Sequence, residues 1–95
     1  MTQIELDAAS WTTRDDFYDA FFRAVGAPSW HGRNFDALYD SIATGQINAV
    51  EVPYRIVISN TSKAGEDARA IILDFAKLIR EIAASSCPIE IELLN

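Results

Sequence analysis

Tyr54-Arg55-Ile56-Val57-Ile58-Ser59 carries three consecutive β-branched residues at its centre and suits the middle strand of a small sheet. Shorter alternating segments stand on either side of it. From Gln3 to Asp7, Ile4 and Leu6 alternate with Glu5 and Asp7, the period of a half-buried strand. After Pro88, the run from Ile89 to Leu94 alternates Ile89, Ile91 and Leu93 with Glu90, Glu92 and Leu94. Helical patterns separate the three strands. The first opens at Thr12 and Thr13, has Asp15 and Asp16 in its first turn, and repeats apolar residues at Phe17, Ala20, Phe21 and Ala24. Gly26 and Pro28 stop it. A second helix is predicted from Asn34 to Ala43, with Phe35, Leu38, Tyr39 and Ile42 at the helical period, and Thr44 to Asn48 then reads as a loop. Asn60 to Gly65 turns the chain. A long helix from Glu66 to Ala84 places Ala68, Ile71, Ile72, Phe75, Ile79 and Ile82 on one stripe.

This order of elements predicts a two-layer α/β fold, a three-stranded parallel sheet with helices packed on it. If the strands lie in chain order, the helices share one face and the other face meets water. No linker or repeat divides residues 1–95, so a single domain is expected. A chain of this length buries roughly 60 to 65% of the surface its unfolded form exposes, enough for one core.

Eight Lys and Arg against fourteen Asp and Glu leave a net charge of −6, which argues against direct nucleic-acid binding and favours a basic partner. The single cysteine, Cys87, permits no internal disulfide and reads as a small buried residue. With no basic and apolar leader pattern at the N-terminus and no run of about 20 apolar residues, a cytoplasmic location and no membrane partner are expected.

The most informative stretch is Pro28-Ser29-Trp30-His31-Gly32-Arg33-Asn34-Phe35-Asp36-Ala37-Leu38-Tyr39-Asp40. Between Asn34 and Tyr54 there is no lysine or arginine, while Asp36, Asp40 and Glu51 are acidic, so the local potential is negative. Asp36 and Asp40, four apart on one helix side, repel by about 0.2 to 0.5 kcal/mol, and only Asp36 lies close to the positive helix start. The pair is either a solvated helix face or a contact surface. Trp30 is likewise either a core residue or, with His31, an aromatic surface beside the acids. Gly32 suits a backbone conformation that a side chain disfavours. Arg33 either points away from a basic partner or anchors the loop internally. Glu81, near Lys77 and Arg80, has the ordinary alternative of a surface ion pair. His31 with Asp36 or Asp40 is too little for an enzyme, because no nucleophile motif or phosphate loop accompanies it, and the same three residues are a weak metal set. Neither catalysis nor a cofactor is expected.

The run from Trp30 to Asp40, aromatic, Gly, any, Asn, apolar, Asp, Ala, Leu, aromatic, Asp, resembles the barstar family of intracellular ribonuclease inhibitors. The likeness extends weakly over most of the chain. It implies a three-stranded parallel sheet with packed helices and a 1:1 complex with a basic ribonuclease or ribonuclease toxin domain. By position it makes Asp40 the central phosphate mimic and Asp36 its companion. Trp30 and His31 become the loop aromatics, Asn34 and Ala37 part of the helix-start surface, and Glu81 a further acidic contact. His31 stands where the family has tyrosine, Tyr39 where it has tryptophan, and the family's loop tryptophan is missing. Past Ile42 two registers are open. Ala43 falls at the family's threonine without a gap, whereas Thr44-Gly45 restores the pattern with a one-residue insertion. The connection from Gly45 to Pro53 is also longer. The resemblance implies the immunity or antitoxin half of a toxin pair; the other reading is a module of the same fold with a basic partner that is not a ribonuclease.

Overall fold

In the computed structural model, which describes residues 1–95, the chain runs β1 (Thr2–Asp7), α1 (Arg14–Val25), α2 (Phe35–Tyr39), a π-helical turn (Asp40–Thr44), β2 (Tyr54–Ser59), a 3-10 turn (Thr61–Lys63), α3 (Glu66–Ala84) and β3 (Ile89–Leu93). The three strands form one parallel sheet in chain order, β1-β2-β3, with Ile4 beside Ile56 and Ile56 beside Ile91. Helices α1 and α3 pack against each other and against the sheet. Ile4, Leu6, Ile56, Ile58 and Ile89 are buried beneath them. The opposite face is polar: Glu5, Asp7 and Glu90 are exposed, and Arg55 spans it, 3.7 Å from Glu90 and in contact with Glu92. Val57 points to this polar side yet is buried between the edge strands, so the middle strand is covered on both faces.

The start of α1 follows from a carboxylate that gathers orphan donors. Asp16 Oδ2 accepts from the Thr12 N–H (2.8 Å), the Thr13 N–H (3.1 Å) and the Thr12 hydroxyl (3.1 Å). These bonds stabilise the anion and hold the Asp16 pKa below its ordinary value. The apolar face of α1 differs from the expected one. Phe17, Tyr18, Phe21 and Val25 are buried, whereas Ala20 is half-buried and Ala24 exposed. The helix is rotated so that Phe17 and Phe21 meet Phe75 of α3, at 4.7 and 5.1 Å between ring centroids, while Val25 turns toward the 45–53 connection. The predicted stripe of α3 is buried throughout.

Two boundaries shift. β3 ends at Leu93 rather than Leu94, because the Leu94 carbonyl accepts from the backbone and hydroxyl of Thr61, 3.0 Å each, and ties the strand end to the 3-10 turn. The second helix is α-helical only through Tyr39 and widens into a π turn from Asp40 to Thr44, instead of continuing as one α-helix to Ala43. Cys87 is half-buried against the core rather than fully buried. No helix is long and apolar enough to cross a membrane.

Candidate binding surface

Between α1 and α2 the chain makes a tight turn in which the His31 N–H donates to the Pro28 carbonyl at 3.0 Å. The turn sends neighbouring side chains in opposite directions. Trp30 is 73% exposed, which excludes the core alternative, and His31 is 8% exposed. The imidazole lies 4.5 Å from the Phe22 ring, with Nδ1 2.9 Å from the Gly32 carbonyl and Nε2 2.8 Å from Ser41 Oγ. Gly32 has no left-handed φ; what its missing side chain spares is space. A Cβ there would lie 3.1 Å from Asn34 Nδ2 and 3.3 Å from Ala37 Cβ, tighter than ordinary contact. Arg33 anchors the loop: its guanidinium bonds Asp15 (3.1 Å) and Asp19 of α1 and lies 6.0 and 5.9 Å from the Tyr18 and Phe22 ring centroids. The Asp19 hydrogen bond comes first among the causes that raise its pKa further.

Asn34 caps α2, its Oδ1 accepting from the Ala37 N–H at 2.8 Å. The Asp40 N–H still reaches the Asp36 carbonyl, so the α geometry persists through Asp40 and both aspartates stand on one face. Both are exposed. Asp36 makes no side-chain hydrogen bond or ion pair, and Asp40 accepts only from the Thr44 hydroxyl, at 3.2 Å across the π turn. The next turn buries Ser41 and Ile42 and exposes Ala43 and Thr44. At Gly45 the chain leaves the π turn (φ 81°), packing on the Glu51 carboxylate, which accepts from the Gln46 N–H. The 45–53 connection is docked on the end of α1 through Ala49 N–H to Gly26 O (3.1 Å) and Val50 N–H to Val25 O (2.9 Å).

Trp30, His31, Gly32, Ala37, Asp40 and Ile47 line one small cleft of about 70 Å³. Asn34, exposed at the start of α2, holds this surface as its cap, and Asp36 stands one helical turn before Asp40. Glu81 lies outside the cleft, on a separate groove with Phe35, Asp74, Lys77 and Leu78, and forms no ion pair with Lys77 or Arg80. No group of three or more His, Cys, Asp or Glu side chains is placed to hold a metal ion.

Ile47, Ser41 and Asn48 belong to this region and were not picked out by sequence reasoning. Ser41 occupies the buried arc between Leu38 and Ile42, which is a legible signal. Ile47 and Asn48 carry none, because their burial depends on where a loop lands. All ion pairs of the protein join α1, α3, the loop at Arg33 or the open sheet face; none involves residues 34–54.

A three-stranded parallel sheet with helices on one face, edged by an acidic helix beside an exposed tryptophan, defines a small α/β protein. The family model described as Barstar (barnase inhibitor) matches residues 1–92, and the chain belongs to the barstar family. No curated protein matches it individually.

Proposed function

We propose that this protein is a stoichiometric 1:1 inhibitor of a basic ribonuclease, acting in the bacterial cytoplasm as the immunity or antitoxin half of a toxin pair. One observation carries the reading. Asp36 and Asp40 share an exposed face without any cationic partner, beside exposed Trp30, in a stretch that contains no base. A ribonuclease cleft holds RNA phosphates with Lys, Arg and His, so carboxylates fixed at phosphate positions meet that potential with little reorganisation. Asp40 is the central phosphate mimic and Asp36 its companion. Trp30, with Tyr39 exposed nearby, provides the rigid aromatic area that anchors interfaces. Ala37 forms the cleft wall, buried His31 holds the surface from behind, and exposed Asn34 completes the helix-start surface. A π turn accommodates one residue more than an α turn. This supports the register in which Thr44-Gly45, rather than Ala43, continues the partner-facing edge. Glu81, on its separate groove, reaches the partner as a further acidic contact.

The test is calorimetric titration of purified barnase, and of any basic ribonuclease encoded next to this gene, with the wild type, Asp40→Ala and the control Glu90→Ala. Asp40→Ala should cost at least about 2 kcal/mol, roughly thirtyfold in Kd, and Glu90→Ala less than about 0.5 kcal/mol. That threshold is the general one for interface hot spots, to which the barnase–barstar pair itself contributes. A loss below about 1 kcal/mol at Asp40 refutes the phosphate-mimic role. Tight binding to a basic protein without nuclease activity would replace the ribonuclease with another partner.

A further inference from the structure

Beneath the Trp30–Asp40 cleft lies a polar cluster that packing alone does not require. His31, Ser41 and Asn48 are 8%, 1% and 7% exposed and come from three separate segments: the loop before α2, the π turn and the 45–53 connection. They meet at Ser41 Oγ, 2.8 Å from His31 Nε2 and 3.3 Å from Asn48 Nδ2. Apolar side chains would fill the same volume without desolvating polar groups. The cluster therefore points to a positional role.

Hydrogen-bond direction fixes how it operates. A carbonyl oxygen only accepts, so the 2.9 Å contact with Gly32 O places a proton on His31 Nδ1. In the neutral ring Nε2 is bare and accepts from the Ser41 hydroxyl, whose oxygen accepts from the Asn48 amide. The chain runs one way, from Asn48 to Ser41 to His31 to the Gly32 carbonyl. It leaves Asn48 Oδ1 without a partner. When the ring takes up a proton, Nε2 becomes a donor and the Ser41 hydroxyl must turn. The Leu38 carbonyl waits 3.3 Å away. Ser41 Oγ then accepts from both His31 and Asn48 and donates to Leu38, so this cluster accommodates the charge without unfolding. The consequence is one positive charge under the acidic cleft and a changed bond inside the turn that carries Asp40.

We propose that His31, Ser41 and Asn48 are positioning residues that latch the Trp30 loop to the Asp40 turn, and that protonation of His31 weakens this surface for a basic partner. The second half rests on the inhibitor reading; the latch does not. The sign follows from the partner's positive charge; the charged groups facing the imidazole are of both kinds. Asp40 and Ile47 share its inner cleft, and Asp19, Arg23 and Arg33 line a cleft on its outer side, where Arg33 is already bound to Asp15 and Asp19. Phe22 and the π turn contribute no further charge, and Glu51 of the connection is engaged by Gln46.

His31 is the chain's only histidine, so its ring can be followed alone by ¹⁵N NMR in the free protein. At pH 8 the Nδ1–H tautomer with bare Nε2 is expected; a dominant Nε2–H tautomer overturns the latch. The Asp40 and Thr44 amides and the Trp30 indole should shift with the imidazole midpoint. Ser41→Ala should remove the Asp40 and Thr44 shifts. Absence of that coupling in the wild type also overturns it. If Ser41→Ala fails to fold, His31→Gln, which reaches Ser41 without titrating, must abolish the same shifts; persistence refutes the assignment. With barnase or the neighbouring ribonuclease as probe, the ratio of Kd at pH 5.5 to that at pH 8.0 should be at least about threefold larger for wild type than for His31→Gln, as expected for one partly screened charge. Comparing two inhibitors against one nuclease cancels the nuclease's own titration. Equal ratios overturn the pH half alone, and loss of all nuclease binding overturns the inhibitor reading while leaving the NMR result standing.

Discussion

Gly26→Ala is the sharpest test of how the long connection before β2 is held. Gly26 ends α1 with φ 64° and ψ 45°, the left-handed region, where an L side chain costs about 1 to 2 kcal/mol. An added Cβ would also stand 2.6 Å from the Cβ of Ala49, about 1 Å inside the 3.5 to 4.0 Å of a carbon contact. Relief requires moving the connection, which two backbone hydrogen bonds oppose: Ala49 N–H to Gly26 O and Val50 N–H to Val25 O. Overpacking of this kind costs about 1 to 3 kcal/mol, and the stiffer unfolded chain returns about 0.4 to 1 kcal/mol. The net expectation is a loss of about 1 to 4.5 kcal/mol, against the roughly 5 to 14 kcal/mol of a protein this size. Urea unfolding followed by circular dichroism measures it; with a slope near 1 kcal/mol per molar, the midpoint should fall by about 1 M or more. Ala49→Gly deletes the clashing methyl. In the double variant the steric part should be recovered and the backbone part should remain, giving a coupling of at least about 1 kcal/mol. A Gly26→Ala loss below about 1 kcal/mol, or strict additivity with Ala49→Gly, would refute the docking of the connection on α1.

Asn34→Ala removes the only side-chain cap of α2 and should cost about 1 kcal/mol, with Asn34→Asp retaining most of it, read by the same urea assay. Acid should destabilise the protein through Asp16 and Asp7. The first is held below the ordinary 3.8 by the Thr12 and Thr13 amides, the second by the Asn60 side chain and the Ala9 amide. Because the folded pKa is the depressed one, the contribution is complete above about pH 4 and disappears as pH falls through the folded value. Asp16→Asn keeps an acceptor but does not titrate, so its stability should fall less steeply than wild type below pH 4.

The sheet and its order were legible because parallel strands joined by helices leave few topologies, and the β-branched run at 56–58 could only be central. The missed details arise from tertiary contact. Tyr18 and Val25 displaced Ala20 and Ala24 from the buried face because α1 serves α3 and the 45–53 connection together, a demand that periodicity does not encode. The π turn was invisible for a similar reason, since Leu38 and Ile42 are buried in either helix geometry. Trp30 and His31 carried equal aromatic signals, and only the Pro28–His31 turn separates the exposed one from the buried one. Of the two alternatives open for Arg33, its pairing with Asp15 and Asp19 selects the internal anchor, and that pairing depends on where α1 lies and not on the spacing around Arg33.

Where the acids are left unneutralised is more telling than how many there are. Asp15 and Asp19 hold Arg33, Asp67 holds Arg14, Glu90 and Glu92 hold Arg55, and Asp7 and Asp16 accept backbone amides. Folding finds a local use for each of these carboxylates. Glu5, Glu66, Asp74 and Glu81 find no such partner either, but Asp36 and Asp40 stand four residues apart in a stretch that holds no base, and Asp40, with one hydroxyl from its own turn, sits past the helix start that favours anions. Their mutual repulsion, about 0.2 to 0.5 kcal/mol, is small enough for the fold to tolerate but gains the isolated protein nothing. Stability alone would favour a lysine at position 40, where an i, i+4 ion pair with Asp36 reverses the sign. A partner with guanidinium and ammonium groups at that face reverses it too, and by more, because the carboxylates are already in place and their desolvation is offset by charges they do not have to move to meet.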